Sequence, residues 1–129
     1  MILLDTHVLV WAVADSKRLS RAATREIEKS RRHGGLAISA MTLWELAIII
    51  ARGKIRAYGT VEASIHTFIE EVTVRPITPE IAALSTQFPD DYPRDPADRI
   101  IGATARAEGM TLITRDENIR RCHLLKTVW

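Results

Sequence analysis

The chain has 129 residues, 47% of them hydrophobic and 26% charged, with a formal net charge of +2. That is one domain of ordinary size and composition, and the small net charge is not by itself the signature of a nucleic-acid-binding protein. Its single cysteine, Cys122, excludes an internal disulfide framework and a thiolate metal cluster.

The apolar run Ile2-Leu3-Leu4 ends abruptly at Asp5, as expected of a buried parallel strand. No basic segment precedes it, so it does not read as a signal peptide. Thr6 to Ala14 reads as a helix. Ser20 caps a second helix from Arg21 to about Arg32, closed by Gly34-Gly35, and Leu36 to Ile38 forms a second short strand. Ser39 caps a third helix that Gly53 ends. This helix contains the most apolar stretch of the chain, Leu43 to Ala51, which holds Glu45 and is far shorter than the ~20 residues needed to span a bilayer.

Residues 60 to 71 are expected to be helical, and Val72 to Ile77 to form an edge strand interrupted by Pro76. Thr78-Pro79-Glu80 starts another helix with a cap, a proline and a first-turn acid. Phe88 to Pro96 is a loop rich in proline and aspartate, followed by a helix from Ala97 to Gly109. Met110 to Thr114 is a strand, Asn118 to Arg121 a short helix, and a last strand lies near Leu124 to Val128. Strands alternating with helices over one unit, residues 1–129, imply an α/β protein with a mainly parallel sheet.

In such sheets ligands sit beyond the carboxyl ends of the strands. Asp5 and Asp116 both fall there, and helix capping explains each of them singly. Glu45 lies in a helix apolar on nearly every side, which is expected to be buried on more than one face, so its charge needs either an arginine or a cation. Asp98 opens a helix, where the macrodipole stabilises an acid, but this does not account for Asp95 and Asp98 together, each flanked by an arginine. Four carboxylates brought to one edge would resist ionising together. A hard divalent cation removes that repulsion, and oxygen-only ligands fit magnesium or manganese.

At this point the chain resembles the PIN domains, in particular the VapC-type toxins of toxin–antitoxin pairs. The resemblance is carried by Ile2-Leu3-Leu4-Asp5-Thr6-His7-Val8-Leu9-Val10-Trp11, by Ile38-Ser39-Ala40-Met41-Thr42-Leu43-Trp44-Glu45-Leu46-Ala47, by Asp95-Pro96-Ala97-Asp98-Arg99-Ile100-Ile101-Gly102-Ala103-Thr104-Ala105, and by Leu112-Ile113-Thr114-Arg115-Asp116. It implies a three-layer α/β/α sandwich and a cytoplasmic, Mg2+- or Mn2+-dependent endoribonuclease. It also implies a homodimer and a cognate antitoxin whose C-terminal segment covers the acidic site. Asp5, Glu45, Asp98 and Asp116 match the family's acidic quartet, with Asp5 and Asp98 the first choices for metal contact. Asp95, Thr6, Thr114, Arg94 and Arg99 are possible accessories.

Two positions depart from the pattern: Ile48-Ile49-Ile50 stands where relatives often carry lysine, and Tyr92-Pro93 where they often carry histidine. Trp11 and Trp44 are expected in the core or an interface, and the four scattered histidines do not suggest a zinc site. One rival is a magnesium-dependent phosphohydrolase of the haloacid-dehalogenase kind, which needs a second aspartate where His7 stands. The other is a PIN-fold binding module without activity, which an incomplete quartet would favour.

Overall fold

A computed structural model describes residues Met1–Trp129. Five short strands, β1 (Ile2–Leu4), β2 (Leu36–Ser39), β3 (Val72–Arg75), β4 (Leu112–Ile113) and β5 (Thr127–Val128), form one sheet in the order β3-β2-β1-β4-β5. Every pairing is parallel. Parallel neighbours need crossover connections, and the helices α1 (Thr6–Ala14), α2 (Arg21–Arg32), α3 (Ala40–Ala51), α4 (Val61–Phe68), α5 (Pro79–Leu84), α6 (Pro96–Glu108) and α7 (Glu117–Arg120) supply them.

Alternation along the strands divides the core in two. Ile2 and Leu4 of β1, Leu36 and Ile38 of β2 and Ile113 of β4 pack with residues of α1 to α4. Leu3, Ala37 and Leu112, which point the other way, pack with Ile81 of α5, Ile101, Ala103 and Ala105 of α6 and Ile119 of α7. The result is an α/β/α sandwich, and a sheet covered on both faces explains why its strands read as unbroken apolar runs.

The chain builds outward from β1 through β2 to β3, then returns past β1 to place β4 on its other side. The direction of winding therefore reverses between β1 and β4, and the crevice at their carboxyl ends is the place where such folds bind ligands.

Most boundaries fall where the sequence signals put them, with local differences. Helix α4 stops at Phe68, not residue 71, and β3 stops at Arg75, before Pro76 withdraws a backbone donor. Helix α6 begins at Pro96, which needs no amide partner in a first turn. β5 begins only at Thr127. The expectation that α3 is buried on several faces is corrected: only Thr42, Leu46 and Ile50 are buried, one stripe at helical spacing. Trp44, expected in a core or interface, is 60% exposed on this chain.

Candidate active site

Four of the cleft acids are positioned by the end of a strand or the start of a helix, and the fifth, Glu45, lies within α3. Asp5 follows β1 and caps α1, its Oδ1 accepting from the Thr6 amide at 2.9 Å. Its Oδ2 accepts from the hydroxyl of Thr114, which follows β4, at 2.7 Å. The same Thr114 Oγ1 accepts from the Asp116 amide at 3.1 Å. One buried hydroxyl thus fixes both acids across the switch point. Asp116 caps α7 through Oδ1, which accepts from the amides of Asn118 and Ile119 at 2.8 and 3.2 Å. Asp95 caps α6, its Oδ1 accepting from the Ala97 amide at 2.9 Å.

Capping and lining the cleft are therefore not alternatives. Asp95 and Asp116 each spend Oδ1 on the helix start, and their Oδ2 atoms take no protein hydrogen bond.

Glu45 has no arginine or lysine within ion-pairing distance. Its Oε1 accepts instead from Thr6 Oγ1 at 2.5 Å. Thr6 Oγ1 also lies 3.0 Å from Thr42 Oγ1. A hydroxyl has one proton, so Thr6 donates to Glu45 and Thr42 donates to Thr6. This relay starts one helical turn before Glu45 on the same face of α3, and Thr42 is a site-supporting residue that the sequence reading passed over. Its visible signal was that i, i+3 spacing.

Asp98 differs from the others, because no protein donor reaches its carboxylate. Its backbone carbonyl accepts from Tyr92 OH at 2.7 Å. The Tyr92 ring stacks on Phe88 with centroids 4.0 Å apart, and both rings lie against Gly102, where a Cβ would meet Phe88 at 2.9 Å and collide with the Tyr92 hydroxyl. Tyr92, standing where relatives often have histidine, thus pins the first turn of α6.

Asp5, Glu45, Asp95, Asp98 and Asp116 line one cleft of about 490 Å³, together with His7, Val8, Trp11 and Arg115. Arg94 and Arg99 do not line it; Arg99 lies over the Tyr92 ring. Arg115, which stands between Thr114 and Asp116, is the arginine at the cleft.

The electrostatics are those of crowded, half-dry carboxylates. Burial pushes Asp98 up to about 7, with added repulsion from Asp5, Asp95, Glu45 and Asp116. Burial also raises Asp5, opposed by its bonds from Thr114 and Thr6 and reinforced by Asp116. Glu45 is raised by burial and by Asp5 and Asp95, against the bond from Thr6. These carboxylates resist carrying their charges together unless positive charge joins them.

An all-oxygen, acidic donor set of this kind fits a hard divalent cation. As the side chains are oriented, no three His, Cys, Asp or Glu groups close into a coordination sphere. The fit lies in donor chemistry and charge, with Asp5, Glu45, Asp98 and Asp116 the residues able to hold the ion.

A parallel α/β/α sandwich with carboxylates gathered at its switch point is the architecture of a PIN domain. Residues 2–123 match the family described by that name, and the chain belongs to it. Within the family the likeness is to the VapC type. The chain is 38% identical over 119 residues to ribonuclease VapC22 of Mycobacterium tuberculosis, covering 92% of this chain and 89% of that one. In fold it is similar to VapBC2 from Rickettsia felis bound to a DNA fragment from their promoter, with a TM-score of 0.75 at 19% identity over 99% of this chain and 98% of that one. It is also similar to a toxin–antitoxin complex from Klebsiella pneumoniae, with a TM-score of 0.68 at 23% identity over 100% and 97% of the two chains.

Proposed function

We propose that this chain, acting as a single PIN domain, is an endoribonuclease that hydrolyses RNA phosphodiesters with a divalent cation, Mg2+ or Mn2+. The observation that carries this reading is the convergence of Asp5, Glu45, Asp98 and Asp116, from four separate elements, on one cleft. The 38% identity to a protein named ribonuclease VapC22 supports it.

Asp5 and Asp98 hold the cation, and Glu45 and Asp116 complete its surroundings. When bound, the ion supplies the charge that lets these groups ionise together, activates water and stabilises charge developing on a phosphate oxygen. Thr114 and Thr6 keep Asp5 and Glu45 in fixed orientations. Because Glu45 Oε1 is held by Thr6, its Oε2 is the oxygen free to take up a proton from the attacking water. The step is direct hydrolysis, without a covalent bond between enzyme and RNA. Asp95 serves chiefly as the cap that sets Asp98 at the cleft.

The same reading makes the chain the toxin of a VapBC-type pair, working in the cytoplasm as a homodimer and restrained by an antitoxin whose C-terminal segment covers the acids. Solved complexes of toxin with antitoxin on the same fold are what support this partner.

The deciding test is incubation of the purified protein with a mixed RNA pool in Mg2+, in Mn2+ and in chelator, beside Asp5→Ala and Asp98→Asn. Metal-dependent fragments that disappear in both variants are expected. Full-rate cleavage by a folded Asp98→Asn protein would overturn the site assignment.

A further inference from the structure

Trp11, in the middle of α1, borders the acidic cleft and carries a cation on each of two neighbours. The Arg18 guanidinium lies 5.0 Å from its ring centroid and that of Arg115 lies 5.8 Å from it, both within cation–π range. The indole is itself braced by Trp129, with ring centroids 5.7 Å apart.

Arg115 sits in sequence between Thr114 and Asp116 and lines a cleft with five carboxylates, yet it forms no ion pair with any of them. A flexible guanidinium beside that much negative charge is expected to fold onto an acid. Here it lies by the indole, exposed at the mouth of the cleft. Arg18 is likewise exposed and unpaired, and it lines a second groove that shares His7, Trp11, Glu45 and Asp95 with the cleft. Arg52, Lys54 and Arg56 line that groove too, and none of them is paired with an acid.

Unpaired cations leading away from an acidic centre are complementary to a polyanion whose reacting bond must reach the acids. Resting on the nuclease reading above, we propose that Arg18 and Arg115, each lying against Trp11, form a two-point phosphate clamp. Arg115 takes a phosphate next to the bond being cut. Arg18 takes a phosphate of the strand running into the groove toward Arg52, Lys54 and Arg56. Guanidinium groups suit this task because they bind phosphate oxygens through two parallel N–H donors. Trp11 is a positioning residue: it touches no substrate phosphate, and its ring keeps both guanidinium groups off the neighbouring acids.

The test measures equilibrium binding of a fluorescein-labelled, mixed-sequence single-stranded RNA by anisotropy across a salt series. It is run in the Asp98→Asn background with chelator present, so that no cleavage proceeds. Arg18→Ala and Arg115→Ala should each weaken binding on the order of tenfold. Each should also reduce the slope of log K against log salt by about 0.7, and the double variant by about 1.4.

Trp11→Leu keeps both charges and should still weaken binding and flatten the slope, while Trp11→Phe, which keeps an aromatic face, should restore much of both. A purely structural tryptophan would lower the melting temperature without moving the slope. Arg32→Ala, at the far end of the sheet where α2 leads into β2, is the charge-matched control and should change neither quantity.

If RNA is bound, and is cleaved by the unsubstituted protein, but the arginine variants keep the parent slope, the clamp is overturned and the nuclease reading stands. The bank of cations would then face a protein partner. A chain that neither binds nor cleaves RNA in any metal overturns both.

Discussion

Replacing Thr114 with valine removes one oxygen and keeps the branched shape that suits a residue at the end of a strand. That oxygen makes two bonds: it donates to Asp5 Oδ2 at 2.7 Å and accepts from the Asp116 amide at 3.1 Å. Losing a donor to a charged, buried acceptor costs about 1.5–3 kcal/mol. The lost bond from the Asp116 amide adds up to about 1 kcal/mol. The expected total is about 1.5–4 kcal/mol. With a urea m-value of about 2 kcal/mol/M, in the middle of the range for a small domain, the midpoint should fall by roughly 1–2 M. RNA cleavage should fall as well, because Asp5 loses its orienting donor and its carboxyl, already raised by burial, rises further. Thr114→Ser should keep most of both properties. Thr67→Val, which removes an exposed hydroxyl bonded only to the Ala63 carbonyl, should stay within about 0.5 kcal/mol of the parent. A Thr114→Val protein with an unchanged urea midpoint and full cleavage would refute the idea that this hydroxyl ties the two halves of the site together.

The raised acids set the sign of the pH dependence. Asp98 is held at about 7 in the folded chain against 3.8 as its ordinary value, so the folded state favours its protonated form. Its contribution is fully present below about pH 4 and lost as the pH rises through 7. Metal-free protein should therefore melt lower at pH 8 than at pH 5.5, by about 1–2 kcal/mol after allowing for solvent screening of a partly exposed group. Asp98→Asn should flatten that dependence in a calorimetric melt while abolishing cleavage, and a variant as pH-sensitive as its parent would place the strain elsewhere. Millimolar Mg2+ should raise the melting temperature more at pH 8 than at pH 5.5, and an equal rise at both would deny that the ion meets the acids. Gly102→Ala should destabilise by about 1–3 kcal/mol in urea unfolding, because its Cβ enters the space of the stacked Tyr92 and Phe88 rings.

Much of the fold was legible because its signals are local. Ile2-Leu3-Leu4 followed by Asp5, Thr78-Pro79-Glu80, and Gly109 with its left-handed φ of 63° at the end of α6 all mark element ends within a few residues. Asp5, Asp95, Asp98 and Asp116 are legible because each sits at such an end, and Glu45 because it is the one acid in the apolar run of α3; every one lies in a motif whose residues are contiguous. What the sequence hid were contacts between distant elements. Thr114 reaches Asp5 across 109 positions, and Thr6 reaches Glu45 across 39. Periodicity reports which face of a helix is apolar and not what covers it, which is why α3, apolar almost all round, points to burial on several sides while the fold buries one stripe. The arginines differ from expectation for a related reason. Proximity in sequence favours Arg94 and Arg99 beside Asp95 and Asp98, but Arg94 precedes α6 without lining the cleft and Arg99 lies over the Tyr92 ring, while the turn after β4 puts Arg115 at the cleft.

The arrangement of threonines bears on what the site is for. A helix cap alone would need one carboxylate oxygen at each of Asp5, Asp95 and Asp116, and it would be indifferent to the second. The structure goes further at Asp5 and Glu45, where buried Thr114 and Thr6 hold carboxylate oxygens that take no part in starting a helix. At Asp98 the carboxylate is left bare while its backbone is pinned by Tyr92. Neutralising these acids with arginine would be the simpler way to stabilise the fold, and Arg115 lines the same cleft, yet it pairs with none of them and lies over Trp11. A protein that orients its acids with hydroxyls and keeps the nearby cation away from them leaves negative charge waiting for a ligand. Replacing Asp98 by asparagine should therefore make the metal-free chain more stable at neutral pH, a gain in stability with a loss of chemistry that a purely structural carboxylate would not give.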